Sequence, residues 1–130
     1  MDNPRLDSED RKPIWDALQM FWMDIEPSDE LENAIATCAR SKYSIVELEY
    51  IYWNEVYPVV RQNFTQLIPE WTGYDIEQLS KLIIANADRV KRTKYKLFHF
   101  RANYWWKEIA SGITKYRKNK SKQVTQHHTN

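Results

Sequence analysis

The feature that most narrows the fold lies in the last third of the chain. Phe98, Ala102, Trp105, Ile109, Gly112, Ile113 and Tyr116 recur at helical spacing. At 3.6 residues per turn they fall within about 100° of one another. Lys96, Asn103 and Lys107 lie on the far side. A helix patterned this way must bury its apolar stripe against another element, either to close a core or to join two subunits. Gly112 within the stripe points to the close approach of another helix.

The rest of the chain can supply those other helices. Eighteen aromatics, six of them Trp, provide large units of buried area, whereas two glycines and five prolines are too few for the many tight turns of an all-β fold. A length of 130 residues suits one domain, which at that size buries roughly two-thirds of the surface its unfolded chain exposes. The expected fold is therefore all-α, a compact bundle of five or six helices with an amphipathic C-terminal helix. The expected domain spans residues 10–117, between a flexible stretch at 1–9 and a flexible basic and polar tail at 118–130.

Local signals divide the bundle. Asp10 is placed to cap a helix with Pro13 in its first turn and with Ile14, Trp15, Leu18, Phe21 and Trp22 at helical spacing. Ser28 can cap a second helix, whose apolar stripe is Leu31, Ala34, Ile35, Cys38 and Ala39 and which ends near Arg40 to Lys42. Ser44-Ile45-Val46-Glu47 is a capping box that starts a third. Pro58 then either kinks that helix or stands in the first turn of a fourth that reaches about Leu67. After a loop at Pro69 to Tyr74, Asp75 with Gln78 offers the N-terminus of a helix carrying Ile76, Leu79, Ile83 and Val90.

Composition also limits function. Cys38 is the only cysteine, so an intrachain disulfide is excluded, and no paired Cys/His spacing suggests a zinc site. Met1-Asp2-Asn3-Pro4-Arg5 has no signal-peptide character, and apolar runs fall far short of the ~20 residues that span a bilayer. A cytoplasmic location is expected, without an integral membrane segment. No nucleophilic triad, phosphate-cradling loop or cofactor motif emerges, and no cofactor is expected.

Several short motifs resemble a known pattern. Arg11-Lys12-Pro13-Ile14-Trp15, Ser41-Lys42-Tyr43-Ser44, Glu47-Leu48-Glu49, Glu55-Val56-Tyr57-Pro58-Val59, Asn63 and Glu70-Trp71-Thr72-Gly73-Tyr74-Asp75 look like those of a family of small bacterial proteins catalogued as a domain of unknown function. The resemblance covers roughly residues 11–84. It implies a bacterial source and no particular activity.

Two regions are candidates for function. On the helix that follows Ser44, Leu48, Ile51, Tyr52 and Val56 share one side, while Tyr50, Trp53 and Tyr57 form a stripe nearly opposite. Such a helix is either packed on both sides or presents Trp and Tyr to a partner, as binding hot spots do. Tyr50, Trp53, Tyr57 and, in the following loop, Trp71 are the candidate anchors. Glu55 lies on the first side, where burial demands either a hydrogen-bonded cation, such as Arg40 or Arg61, or an upward pKa shift to the neutral form.

The second region is electrostatic. Residues 1–87 hold seven Lys/Arg against sixteen Asp/Glu, whereas residues 88–130 hold twelve against two, so charges of −9 and +10 hide behind a net +1. Lys91, Arg92, Lys94, Lys96 and Arg101 interleave with aromatics, a mixture that can neutralise phosphates and stack on bases. The preferred expectation is a non-enzymatic protein-binding module, an immunity protein or antitoxin that neutralises a toxin or effector, with a homodimer through the C-terminal helix as a further partner arrangement. The alternative is a nucleic-acid-binding protein using residues 89–122.

Overall fold

The computed structural model describes residues 4, 6–22, 27–61, 74–87 and 100–128, the side chains of Phe100 and of residues 122–128 excepted. Every regular element among them is helical. In chain order they are α1 (Ser8–Gln19), α2 (Leu31–Ala39), α3 (Ile45–Tyr50), a π-helical segment (Ile51–Val56), α4 (Tyr57–Val60), α5 (Ile76–Asn86) and α6 (Phe100–His128), with short 3-10 turns at Met20–Trp22 and Ser28–Glu30. The expected all-α bundle is what forms. No helix of the described residues is long and apolar enough to cross a membrane.

α1 begins earlier than Asp10, with Asp7 at its N-cap position. The Asp7 side chain does not cap the helix, because it is drawn into a buried polar cluster described below. Pro13 is consequently the sixth residue of the helix rather than part of its first turn, and it forgoes one intrahelical bond there. α1 lays Ile14, Trp15 and Leu18 on the core and extends it through Phe21 and Trp22. Its last residue, Gln19, accepts from the Tyr74 N–H at 3.0 Å and donates to the Tyr74 carbonyl at 2.8 Å. That reciprocal pair holds the start of α5 against the end of α1.

The capping box at the start of α3 forms in full: Glu47 N–H donates to Ser44 Oγ at 3.2 Å and Ser44 N–H to Glu47 Oε1 at 3.0 Å. α5 keeps the forward half of the expected cap, with Gln78 N–H donating to Asp75 Oδ1 at 3.0 Å. It ends at Asn86, so the continuation to Val90 lies outside the described residues.

Of the two courses expected at Pro58, the helix restarts, and it does so without a break; the expected reach to about Leu67 lies outside the described residues. The chain widens into the π segment, where the Tyr57 N–H reaches back five residues to the Tyr52 carbonyl, and then resumes as α4 with Pro58 in its first turn. A proline ring collides with the carbonyl four residues earlier in a regular α-helix, and the wider turn relieves that collision. All six residues of the π segment are buried.

α6 packs along α2 and crosses α3 and the Met20–Trp22 turn. Ala102, Trp105, Trp106, Ile109 and Ile113 are buried. The apolar stripe thus closes the core of its own chain, the first of the two roles expected for it, against α2, α3, the π segment and the Met20–Trp22 turn. Gly112 lies in the contact between α6 and α2: a Cβ there would stand 2.2 Å from Ile35 Cδ1. The stretch expected to be a flexible tail is helical to His128. Its Lys and Gln residues are good helix formers, and extending an existing helix avoids the cost of nucleation.

Candidate functional site

The cluster that binds the bundle's interior together starts from α1. Arg11 stands one turn before Trp15 on the buried face of that helix, and its side chain is fully buried. A guanidinium in that position has to find anions. Its Nη1 pairs with Glu55 Oε2 from the π segment, and its Nε lies 3.3 Å from Asp7 Oδ2. Glu55, 5% exposed, receives a second hydrogen bond from the Trp15 indole N–H at 2.8 Å. The partner of Glu55 is therefore Arg11, not Arg40 or Arg61, because α1 rather than either of those residues packs on the π segment.

Asp7 completes the cluster. Its carboxylate accepts from the Tyr43 hydroxyl and, at 2.8 Å, from Lys42 Nζ, which also lies 3.1 Å from Asp10. Arg11 and Lys42 stand over the Tyr43 ring, 5.6 Å and 5.5 Å from its centroid. The two buried carboxylates, Asp7 and Glu55, are thus matched by Arg11 and Lys42, with Asp10 sharing Lys42 at the exposed edge. The Lys42 and Tyr43 hydrogen bonds hold the Asp7 carboxyl down to about 2. Burial pushes Glu55 up, with the Arg11 charge and the Trp15 N–H opposing it. Burial also pushes the Tyr43 hydroxyl up to about 12, with its bond to Asp7 adding to the effect.

Chemically this arrangement is self-satisfying. Each acid is committed to a cation or an N–H or O–H donor inside the fold, so the cluster works as a joint between α1, the α2–α3 corner and the π segment. Cys38, on α2, is also buried, which pushes its thiol up to about 12 and suppresses the nucleophilic thiolate. Among the described residues, no group of three or more His, Cys, Asp or Glu could hold a metal ion.

The candidate anchors separate. Trp53 and Tyr57, at 1% and 5% exposure, belong to the core, where Trp22 packs against both at ring-centroid distances of 5.2 and 4.7 Å. The helix is buried on both faces, since Leu48 and Ile51 fill the other side. Trp53 and Tyr57 therefore cannot anchor a partner on the folded surface. Tyr50 is 45% exposed, and Val46, one turn earlier and 79% exposed, stands beside it as an apolar neighbour that spacing alone does not single out. Trp71 lies outside the described residues, as do Lys91, Arg92, Lys94 and Lys96; Arg101 is on the exposed side of α6.

Sequence reasoning also missed Asp7, Arg11 and Tyr43. A signal for Arg11 was present, because Arg11, Trp15 and Leu18 share helical spacing and place a charged residue on an apolar stripe. The motifs behind the family resemblance meet in this cluster: Arg11 and Trp15 from one, Lys42 and Tyr43 from another, Glu55 from a third.

A family model described as a domain of unknown function (DUF7079) matches residues 9–120, and the chain belongs to that family. No curated protein and no solved structure matches it.

Proposed function

For this member of the DUF7079 family, we propose a non-catalytic module that binds a basic site on a protein partner, in the manner of an immunity protein or antitoxin neutralising a toxin. The observation that carries the reading is the surface of α1, α2 and α5, with the turn before α2. Glu9, Asp10, Asp16, Asp29, Glu32 and Glu77 are exposed there. Lys12 and Lys42 are already paired with acids of the same surface, Lys12 with Glu9 and Glu77 and Lys42 with Asp10 and Asp7. These pairs, with Arg40 exposed at the end of α2 and Lys81 on α5, offset part of the set, so the acidic excess rests on Asp16, Asp29 and Glu32. Such an excess attracts a basic partner over distance and speeds encounter, while an aromatic anchor slows release. Tyr50 with Val46 is the exposed apolar pair suited to that second task. The commitment of Glu55 and Asp7 to internal partners also favours binding over acid–base chemistry.

The test is affinity capture from the source organism with the full chain and two variants, Asp16→Lys/Glu32→Lys and Tyr50→Ala/Val46→Asp, followed by kinetics on the captured protein. A basic protein retained in stoichiometric amount is expected, with association slowed by the first variant and dissociation accelerated by the second. Inhibition of that partner's activity would identify a toxin. Failure of the wild type to retain any stoichiometric partner, or equal retention by all three chains, would sink the proposal.

A further inference from the structure

We propose that, within the basic region 89–122, the outward face of α6 is a binding surface for single-stranded nucleic acid, with residues other than the basic series from Lys91 to Arg101. α6 contains seven Lys/Arg and one acid, Glu108. Tyr104, Lys107, Ser111, Lys115 and Lys118 fall within an arc of about 80° on the helix, at 100° per residue. All five are exposed, and they stand opposite the buried stripe of Trp105, Ile109 and Ile113. Lys107 and Lys118 are ~16 Å apart along the axis.

These lysines are not held by the acidic part of the fold. Among the described residues, none of Lys107, Lys115 and Lys118 forms an ion pair. Arg117 docks α6 on the rest of the chain, and it binds carbonyl oxygens: Ala39 at 3.1 Å, Cys38 at 3.2 Å and Tyr43 at 2.6 Å. The helix is thus fixed to the body while its lysines face outward, Lys115 and Lys118 one turn apart as like charges, and an external polyanion can neutralise such a row.

Tyr104 chooses between polyanions. It is 56% exposed and braced edge-on by Trp105, with ring centroids 5.2 Å apart. An exposed aromatic beside a basic row is the composition of a base-stacking groove for single strands. A bilayer, by contrast, requires an apolar face to insert, and the apolar face of α6 is buried against its own domain.

The experiment is fluorescence anisotropy of a labelled 20-nucleotide single strand, as DNA and as RNA, with the full-length chain. Affinity should fall roughly twentyfold between 50 and 200 mM salt, as expected for about three phosphate contacts. Lys107→Glu/Lys115→Glu/Lys118→Glu should weaken binding at least tenfold, and Tyr104→Ala roughly five- to tenfold. Circular dichroism and melting temperature should be unchanged by these exposed substitutions. Absence of binding at 50 mM salt, or binding indifferent to the triple variant, overturns the proposal. So does capture by phosphatidylglycerol vesicles with no anisotropy change on either oligonucleotide. The Asp16→Lys/Glu32→Lys variant should retain or strengthen oligonucleotide binding, which separates this surface from the acidic one.

Discussion

Arg11 and Glu55 form an ion pair closed off from solvent, although they stand 44 residues apart in the chain. One comes from the second turn of α1 and the other from the π segment, so the pair exists only when those elements are docked.

Removing one partner leaves the other charge buried and unmatched. Glu55→Ala is expected to destabilise the fold by about 3–5 kcal/mol, and Arg11→Met by a similar amount. The double replacement Arg11→Met/Glu55→Leu should recover much of the loss, because an apolar pair of similar volume incurs no charge desolvation. Urea denaturation of the three variants measures this; additive losses would contradict it.

The same cluster sets an acid limit. Asp7 has a folded-state pKa of about 2, below the ordinary value of 3.8. Its contribution is therefore present above the unfolded value and is lost as pH falls from about 4 toward 2. Glu55 works the other way: its raised folded-state pKa makes its contribution decline as pH rises through the carboxylate range. Asp7→Asn should thus flatten the loss of stability between pH 4 and pH 2, measured by denaturant titration at each pH. At the alkaline end Tyr43, raised to about 12, should withdraw stability as pH climbs from 10 toward 12.

Gly112→Ala pits two effects against each other. The new Cβ would lie 2.2 Å from Ile35 Cδ1 and 2.7 Å from its Cγ1. Overpacking of that kind costs about 1–3 kcal/mol, whereas the helix-propensity gain is about 1 kcal/mol. The substitution should destabilise the native chain yet stabilise one that already carries Ile35→Ala. Thermal melts of the four chains would show the change of sign.

Arg117→Ala should loosen the outer half of α6. The guanidinium donates to the carbonyls of Ala39, Cys38 and Tyr43, at the end of α2 and in the turn that follows. Hydrogen bonds from a charged donor are worth about 1.5–3 kcal/mol. Hydrogen exchange should accelerate in α6 beyond Ile113 and change little in α1; uniform acceleration across the bundle would argue against a local tie.

The helices with strong local signals are legible in the amino-acid sequence. Ser44 and Glu47 cap α3, Asp75 caps α5, and the Phe98–Tyr116 periodicity marks α6, because a cap and an amphipathic face are both encoded by neighbours a few residues apart. The close approach of another helix at Gly112 is legible for the same reason. By contrast, the sequence leaves Trp53 and Tyr57 with two possible roles. A stripe of aromatics has the same spacing whether it meets a partner or Trp22, and only the approach of the Met20–Trp22 turn makes it core.

The basic C-terminal helix follows the same division. Its charge and its amphipathic period are properties of the chain, determined by composition and by 3.6 residues per turn. Which lysines remain outward and which arginine turns inward depends on where α2 lies, since Arg117 is captured by carbonyls that its own helix does not supply. Glu55 likewise needs a cation by virtue of its position on an apolar face. That the cation is Arg11 is decided by tertiary packing, because the pairing of residues 44 apart depends on the relative placement of whole helices and not on any local preference.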